Sequence, residues 1–255
     1  MIRVVVHGCN GRMGQVVTNF CREDDEVEVV AGIDVSDHIQ NDYPVYKSLW
    51  DCKEEMDAII DFASSSAVDA LLEYSVEKQV PVVLCTTGLS EEQIQKAEEA
   101  AKKTAVLRSA NMSLAVNTLM DLLKRAAQVL APAGFDMEIV DKHHNQKVDA
   151  PSGTALTMAK ILTDTLNQDY EYKYDRTKDM KKRGKNEIGI HSVRGGNIVG
   201  EHTAIFAGTD EVFELKHTAY SRNIFAKGAV EAAKFLSEKK TGYYNMSDVI
   251  KAAEK

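Results

Sequence analysis

His143, His144 and Lys147 bring two imidazoles and an ammonium within five residues, directly ahead of the run Val148-Asp149-Ala150-Pro151-Ser152-Gly153-Thr154-Ala155. Imidazoles exchange protons near neutral pH, and an ammonium donates one. Pro-Ser-Gly-Thr reads as a turn that opens a helix, and the first N–H groups of a helix are a natural seat for a carboxylate. A plain polar loop between strand and helix would account for two adjacent histidines. It does not account for proton donors set beside an anion cradle, which points to a reaction centre for a small acidic substrate.

A second chemical segment stands near the start. Gly8-Cys9-Asn10-Gly11-Arg12-Met13-Gly14 follows the strand-like Val4-Val5-Val6. Glycines in a strand-to-helix turn let backbone approach a pyrophosphate, whose charge then sits on the helix N-terminus. The usual middle glycine is replaced by Asn10, a residue that tolerates left-handed backbone. Cys9 beside it is expected to add bulk near the phosphates. Asp34 ends the next apolar run, 20 residues after Gly14, where a carboxylate binds the adenosine ribose hydroxyls of NAD. Val35-Ser36-Asp37 then supply no arginine for a 2′-phosphate, and Asp37 would repel one, so NADH is favoured over NADPH, with Arg12 as a partial counterweight. Two further loops follow apolar runs in the same way, Cys85-Thr86-Thr87-Gly88 and Ser109-Ala110-Asn111-Met112. Open α/β sheets bind ligands at that carboxyl edge.

The elements that must position these residues can be read from the apolar pattern. Short β-branched runs at 2–6, 27–33, 58–60, 80–84 and 105–107 alternate with helical stretches at 11–21, 65–78 and 90–102. The strands are apolar throughout, as expected when helices cover both faces of a parallel sheet. After residue 111 the pattern changes to a long helix over 114–130, a strand over 135–140 and a helix over 155–166. A polar stretch follows, and its basic run 178–185 reads as a solvated loop. Runs at 188–193, 198–206 and 211–217 come without helices between them, separated by Gly195-Gly196 and by Gly208-Thr209-Asp210, and so read as antiparallel hairpins. A helix over 225–237 and a short tail close the chain. The expectation is an α/β, Rossmann-type doubly wound parallel sheet plus a second α+β domain with an open, mostly antiparallel sheet.

Composition narrows the function classes. A formal charge of −8 argues against nucleic acid as the partner, because phosphate binding needs a basic face. Cys9, Cys21, Cys52 and Cys85 show no Cys-x-x-Cys spacing, so neither a zinc site nor a disulfide framework is expected, and no metal site is assigned. No apolar run reaches the ~20 residues of a membrane span, and the chain opens directly on a strand-like run rather than a leader, so a cytoplasmic protein is expected.

Together, Gly11-Arg12-Met13-Gly14, the Thr86-Thr87-Gly88 loop, Asn111 and the thirteen residues 143–155 strongly resemble the dihydrodipicolinate reductase family. Segments 192–196, 199–203 and 221–226 agree, so the resemblance runs essentially end to end. It implies reduction of 4-hydroxy-tetrahydrodipicolinate, or dihydrodipicolinate, to tetrahydrodipicolinate in lysine and diaminopimelate biosynthesis, with hydride from NADH or NADPH delivered to substrate C4. By matched positions it implies that Gly8, Cys9, Asn10, Gly11, Arg12, Met13, Asp34, Cys85, Thr86, Thr87, Ser109, Ala110, Asn111 and Met112 line the cofactor. His143 would be proton donor and acceptor, Lys147 the proton donor to the reduced substrate, and His144 with Gly153 and Thr154 the carboxylate-binding group. It further implies a homotetramer assembled through the second domain. The domains become 1–113 with 222–255 for the dinucleotide, and 114–221 for substrate and oligomerisation, with closure over the substrate expected between them. Two rivals stay open: another two-domain NAD(P)-dependent dehydrogenase of an amino or sugar acid, and a non-catalytic dinucleotide-binding regulator. Neither gives His143, His144 and Lys147 a reason to precede Pro-Ser-Gly-Thr.

Overall fold

A computed structural model describes residues 1–177 and 179–254; Lys178, at the head of the basic run, lies outside the described residues. The chain divides into two compact units, Met1–Leu114 with Asn223–Lys255, and Ala115–Arg222.

The first unit runs β1 (Ile2–His7), α1 (Arg12–Arg22), β2 (Val27–Ile33), β3 (Val45–Tyr46), β4 (Ala58–Asp61), α2 (Val68–Lys78), β5 (Val82–Leu84), α3 (Glu91–Ala100) and β6 (Ala105–Arg108). Its strands form one parallel sheet in the order β3-β2-β1-β4-β5-β6, with one more strand beyond β6 described below. Strand alternation explains why these runs are apolar throughout. Val4 and Val6 pack into one core with Val17 and Cys21 of α1, while Val5 and Ile59 pack into the opposite core with Leu71 of α2 and Ala97 of α3. Ser90 and Gln93 close a capping box at the start of α3. The strand order reverses between β1 and β4, which opens a crevice at their carboxyl ends.

The second unit contains α4 (Leu114–Leu130), β7 (Asp136–His143), α5 (Gly153–Leu166), β8 (Glu171–Lys173), β9 (Glu187–Arg194), β10 (Gly200–Ala207) and β11 (Val212–Ala219). Its sheet is mixed, in the order β11-β10-β7-β9-β8: the β11/β10 and β10/β7 pairs are antiparallel, the β7/β9 and β9/β8 pairs parallel. The hairpin expected across Gly208-Thr209-Asp210 is present. The one expected across Gly195-Gly196 is not, because β7 lies between β9 and β10. A glycine pair marks a reversal of the chain but not which strand fills the neighbouring place. One face of the sheet packs Met137, Ile139, Ile188, Ala204 and Phe206 against Leu123 of α4 and Met158 and Leu162 of α5.

The chain then returns to the first unit through α6 (Asn223–Ser237), β12 (Gly242–Tyr244) and α7 (Met246–Ala253). The last two replace the short tail expected from sequence. Three residues are too few to show periodicity, and β12 owes its existence to pairing with β6.

The first turn depends on two glycines. Gly8 holds φ +82°, and a Cβ on Gly14 would lie 2.1 Å from the Gly8 carbonyl oxygen and 2.7 Å from Cys9 Cα. Asn10 does not take the left-handed backbone expected of it; that conformation falls to Gly8. Gly14→Ala is therefore expected to lower stability by about 1–3 kcal/mol through forced displacement of the turn. Gly153→Ala, where nothing lies within 4 Å of the added Cβ, should remain within about 1 kcal/mol of the parent. Paired thermal denaturation curves check both, and equal losses would refute the packing argument.

Candidate active site

The alternation of β7 that buries Met137 and Ile139 carries Asp141 and His143 onto the same face, at the end of the strand where the apolar core stops. His143 is thus the last residue of a strand, not part of the loop. Its Nδ1 lies 2.9 Å from Asp141 Oδ2. Asp141 is fully buried and meets three partners: the Ser192 hydroxyl donates to Oδ1 at 2.6 Å, and Arg194 donates to Oδ2 at 2.9 Å alongside His143. Burial alone would raise the Asp141 carboxyl, but Ser192, Arg194 and His143 hold it below its ordinary value. For His143, burial lowers the imidazole against the pull of Asp141, and Lys147 and Arg194 lower it further. A neutral ring follows, with Nδ1–H donated to the carboxylate and Nε2 left as the proton acceptor. Beside Nε2 stands Gly200, where a Cβ would come within 3.2 Å.

The helix that follows is set by Ser152. Its Oγ accepts the Ala155 N–H at 3.2 Å and lies 2.9 Å from His202 Nε2, within hydrogen-bond distance of that ring. Burial, with the nearby His143, pushes His202 down to about 4, and it stays neutral. The two imidazoles stand edge to face with centroids 5.1 Å apart. Gly153 and Thr154, at the first turn of α5, keep their N–H groups free of any partner among the described residues. The loop between strand and helix is tied at several points. Gly195 N–H donates to the His143 carbonyl at 2.9 Å, Lys147 N–H to the His144 carbonyl at 3.1 Å, and Arg194 to the Asp149 carbonyl at 2.7 Å. The Lys147 ammonium rests on both oxygens of Asp149, at 2.7 and 2.9 Å, and holds that carboxyl below its ordinary value. His143, Lys147, Gly153 and Thr154 therefore share one unit with His144, which is half-buried at the mouth of the loop. Asp141, His143 and His202 also bring three ligand-type atoms within 4.8 Å. Arg194 and Ser192 already occupy the Asp141 carboxylate, and that set reads as a proton network.

In the other unit, Gly11 caps α1 without a side-chain hydrogen bond, which leaves the first N–H groups of the helix open at the glycine turn. Both oxygens of Asp34 accept backbone N–H groups at 2.9 Å, from Asn10 and Ser36. Asn10 also ties its side chain to the Ser36 carbonyl and to Asn41, which clamps the turn to the loop after β2. The Cys9 side chain adds no bulk above the turn. It is fully buried in the core, where a Cβ on Gly32 would come within 2.5 Å of its sulfur. Beside the turn lies a cavity of about 400 Å³ lined by Gly8, Gly11, Asp34, Lys47, Phe62 and Ser64, among others. An uncapped helix end, close-packed glycines and a carboxylate over a cavity of this size fit a dinucleotide. Arg12 is exposed and Met13 packs partly on the core. The Thr86 hydroxyl is engaged, donating to Asp61 Oδ2 at 2.6 Å, whereas Thr87 is exposed. The Cys85 thiol is pushed well up by burial and then by Asp61. Ser109, Ala110, Asn111 and Met112 follow β6 at the same sheet edge, with the Asn111 side chain accepting the Ser113 N–H at 2.9 Å and Met112 buried.

Reading by sequence assigned no role to Asp141, Ser152, Arg194 or His202. An acid two residues before His143 on a strand was a usable signal, since that spacing shares a face. For Arg194 and His202 the signal was only their place in the family-like segments 192–196 and 199–203, because sheet pairing alone brings β9 and β10 against the end of β7.

The chain matches two family models that together span nearly its whole length, described as the dihydrodipicolinate reductase N-terminus over residues 2–112 and C-terminus over residues 115–250. It is 51% identical to a 4-hydroxy-tetrahydrodipicolinate reductase of Caldanaerobacter subterraneus subsp. tengcongensis, across 98% of this chain and 99% of that protein. To the Clostridium tetani protein of the same name it is 46% identical, with 96% of each covered. Its fold superposes on a dipicolinate-bound dihydrodipicolinate reductase from Paenisporosarcina sp. TG-14 with a TM-score of 0.83 and 25% identity, covering 97% of this chain and 99% of that one. A dinucleotide turn in one unit, a proton network beside a helix N-terminus in the other, and relatives of matching length lead to one assignment: the chain belongs to the dihydrodipicolinate reductase family, the 4-hydroxy-tetrahydrodipicolinate reductases of lysine biosynthesis.

Proposed function

We propose that this chain delivers hydride from NADH to C4 of its cyclic imine dicarboxylate substrate, with Lys147 donating a proton to the reduced product. The observation that carries this reading is the convergence, within one unit, of the Asp141–His143 pair, the Lys147 ammonium and the open N–H groups of Gly153 and Thr154. A substrate carboxylate seated on Gly153 and Thr154, with His144 beside it, places the ring near these proton-exchanging groups. The dipicolinate held by the Paenisporosarcina enzyme is a dicarboxylate of this kind. Hydride arrival at a conjugated imine leaves electron density that must be protonated, and an ammonium meets that need. Once substrate carboxylates compete with Asp149 for Lys147, the ammonium can turn from its resting partner to the product. His143, neutral and with its tautomer fixed by Asp141, takes up or returns a proton through Nε2. The nicotinamide dinucleotide supplies the hydride when bound. Gly8, Cys9, Asn10, Gly11, Arg12 and Met13 form its phosphate turn, Asp34 takes the ribose hydroxyls, and the loops of Cys85, Thr86 and Thr87 and of Ser109, Ala110, Asn111 and Met112 border its other end. Asp34 favours NADH over NADPH by repelling a 2′-phosphate. Lys47, which lines that cavity, is already engaged with the Val35 carbonyl at 2.8 Å and with Asp37. The enzyme acts in the cytoplasm as a homotetramer joined through the sheet of the second unit, whose edge strand β11 exposes Val212 and Phe213.

Lys147→Ala should cut kcat about 10²–10⁴-fold while NADH affinity, read by fluorescence, is unchanged. Asp141→Asn should lower kcat by at least about tenfold. It should also move the acid limb of the pH–rate profile downward, because the carboxylate that raises His143 is gone. Wild-type turnover in Lys147→Ala would remove the proton-donor assignment. In side-by-side initial rates, kcat/KM for NADH should exceed that for NADPH by about tenfold or more, and Asp34→Ala should narrow the ratio; parity in the parent enzyme would end the NADH argument. Light scattering in solution should return four times the 28.2 kDa chain mass, and a monomer mass would dismiss the tetramer.

A further inference from the structure

We propose that His7 is a phosphate-binding residue of the cofactor half, taking up a solvent proton as the dinucleotide binds and donating Nε2–H to a phosphate oxygen. The inference rests on the dinucleotide reading of the first unit. His7 is the last residue of β1, immediately before Gly8, and it lines the same cavity as Gly8, Gly11 and Asp34. Its side chain is nine-tenths buried, and Nδ1 lies 2.8 Å from Asp61 Oδ1 at the end of the neighbouring β4. Asp61 is fully buried, and both of its oxygens receive donors: Thr86 Oγ1 at 2.6 Å on one, and His7 with the Ala63 N–H at 3.2 Å on the other. The acceptor role of Asp61 puts the His7 proton on Nδ1, which leaves Nε2 as the ring's other polar atom. Nε2 has no hydrogen-bond partner among the described residues, yet it is not one of their buried unpartnered atoms. It therefore opens into the cavity, beside the uncapped N-terminus of α1.

The charges around the cavity call for such a cation. A dinucleotide brings two phosphate charges to a space that already holds Asp34, with Asp61 behind His7. Lys47 on the cavity wall is tied to Asp37 and to the Val35 carbonyl, and Arg12 is exposed. The remaining titratable neighbours stay neutral: burial raises the Cys9 thiol to about 11 and pushes Cys85 well up. An imidazolium between Asp61 on one side and a phosphate on the other is balanced on both.

The test is binding alone, with NADH and with ADP-ribose, which lacks the nicotinamide, over about pH 5.5–8.5 around the imidazole range. Proton uptake predicts that Kd rises with pH, by up to about tenfold per pH unit. Calorimetry in two buffers of different ionisation enthalpy should register uptake by the wild-type protein. His7→Gln, which keeps a donor for Asp61, should flatten the pH profile and weaken ADP-ribose by about tenfold at the acid end. Uptake of no proton by the wild type, or a His7→Gln profile as steep as the wild type, overturns the proposal; the first needs no variant to fold. Dinucleotide binding without pH dependence would sink this assignment alone, whereas no dinucleotide binding at any pH would sink the cofactor reading with it.

Discussion

A carboxyl group withdrawn from water must be met by hydrogen-bond donors, and both units of this chain are organised around one that sits at a strand end. In the second unit it is Asp141, met by Ser192, Arg194 and His143; in the first it is Asp61, met by His7, Thr86 and Ala63. Each acid draws its partners from adjacent strands and loops, so satisfying it aligns several segments at once. Truncating one partner would leave a buried charge or donor exposed to apolar surroundings, a cost of a few kcal/mol. These demands make the strand ends rigid enough to hold chemistry.

The candidate site follows from that rigidity. Arg194 contacts both the Asp141 carboxylate and the Asp149 carbonyl, so one guanidinium joins the buried acid to the loop that carries Lys147. Ser152 does the same on the other side, capping α5 while holding His202 against His143. The helix N-terminus, the imidazole and the loop that carries the ammonium are thus tied to one frame. In the first unit, Asp34 and Asn10 perform the equivalent task for the glycine turn. A side chain that could have disrupted the turn, Cys9, is absorbed into the core beside Gly32.

Much of the fold was legible in the chain itself. Five apolar runs alternating with helical stretches gave the parallel sheet, since residues buried on both faces leave no polar alternation to misread. The helix over residues 114–130 was bounded correctly by its apolar period and the Pro132 and Gly134 that follow it. Illegible were β8 and β12, three residues each, and the place of β7 between β9 and β10, because short strands carry no period and strand order is not written in any local segment.

By itself the sequence determined which groups are available: a glycine turn with Asp34 after it, and His143, His144 and Lys147 ahead of a helix start. Those are local facts, set by residue types within a few positions of one another, and local chemistry is what a sequence records. Only the tertiary structure decided the orientation of those groups and the lowering of His143. Asp141 lies next to His143 by strand periodicity, but Arg194 and His202 are 51 and 59 residues from it and arrive by sheet pairing. His7 and Asp61, 54 positions apart, meet because β1 and β4 are neighbours across the point where the sheet reverses. Burial then lowers His143 and His202, and burial is a property of the assembled core rather than of any stretch of chain.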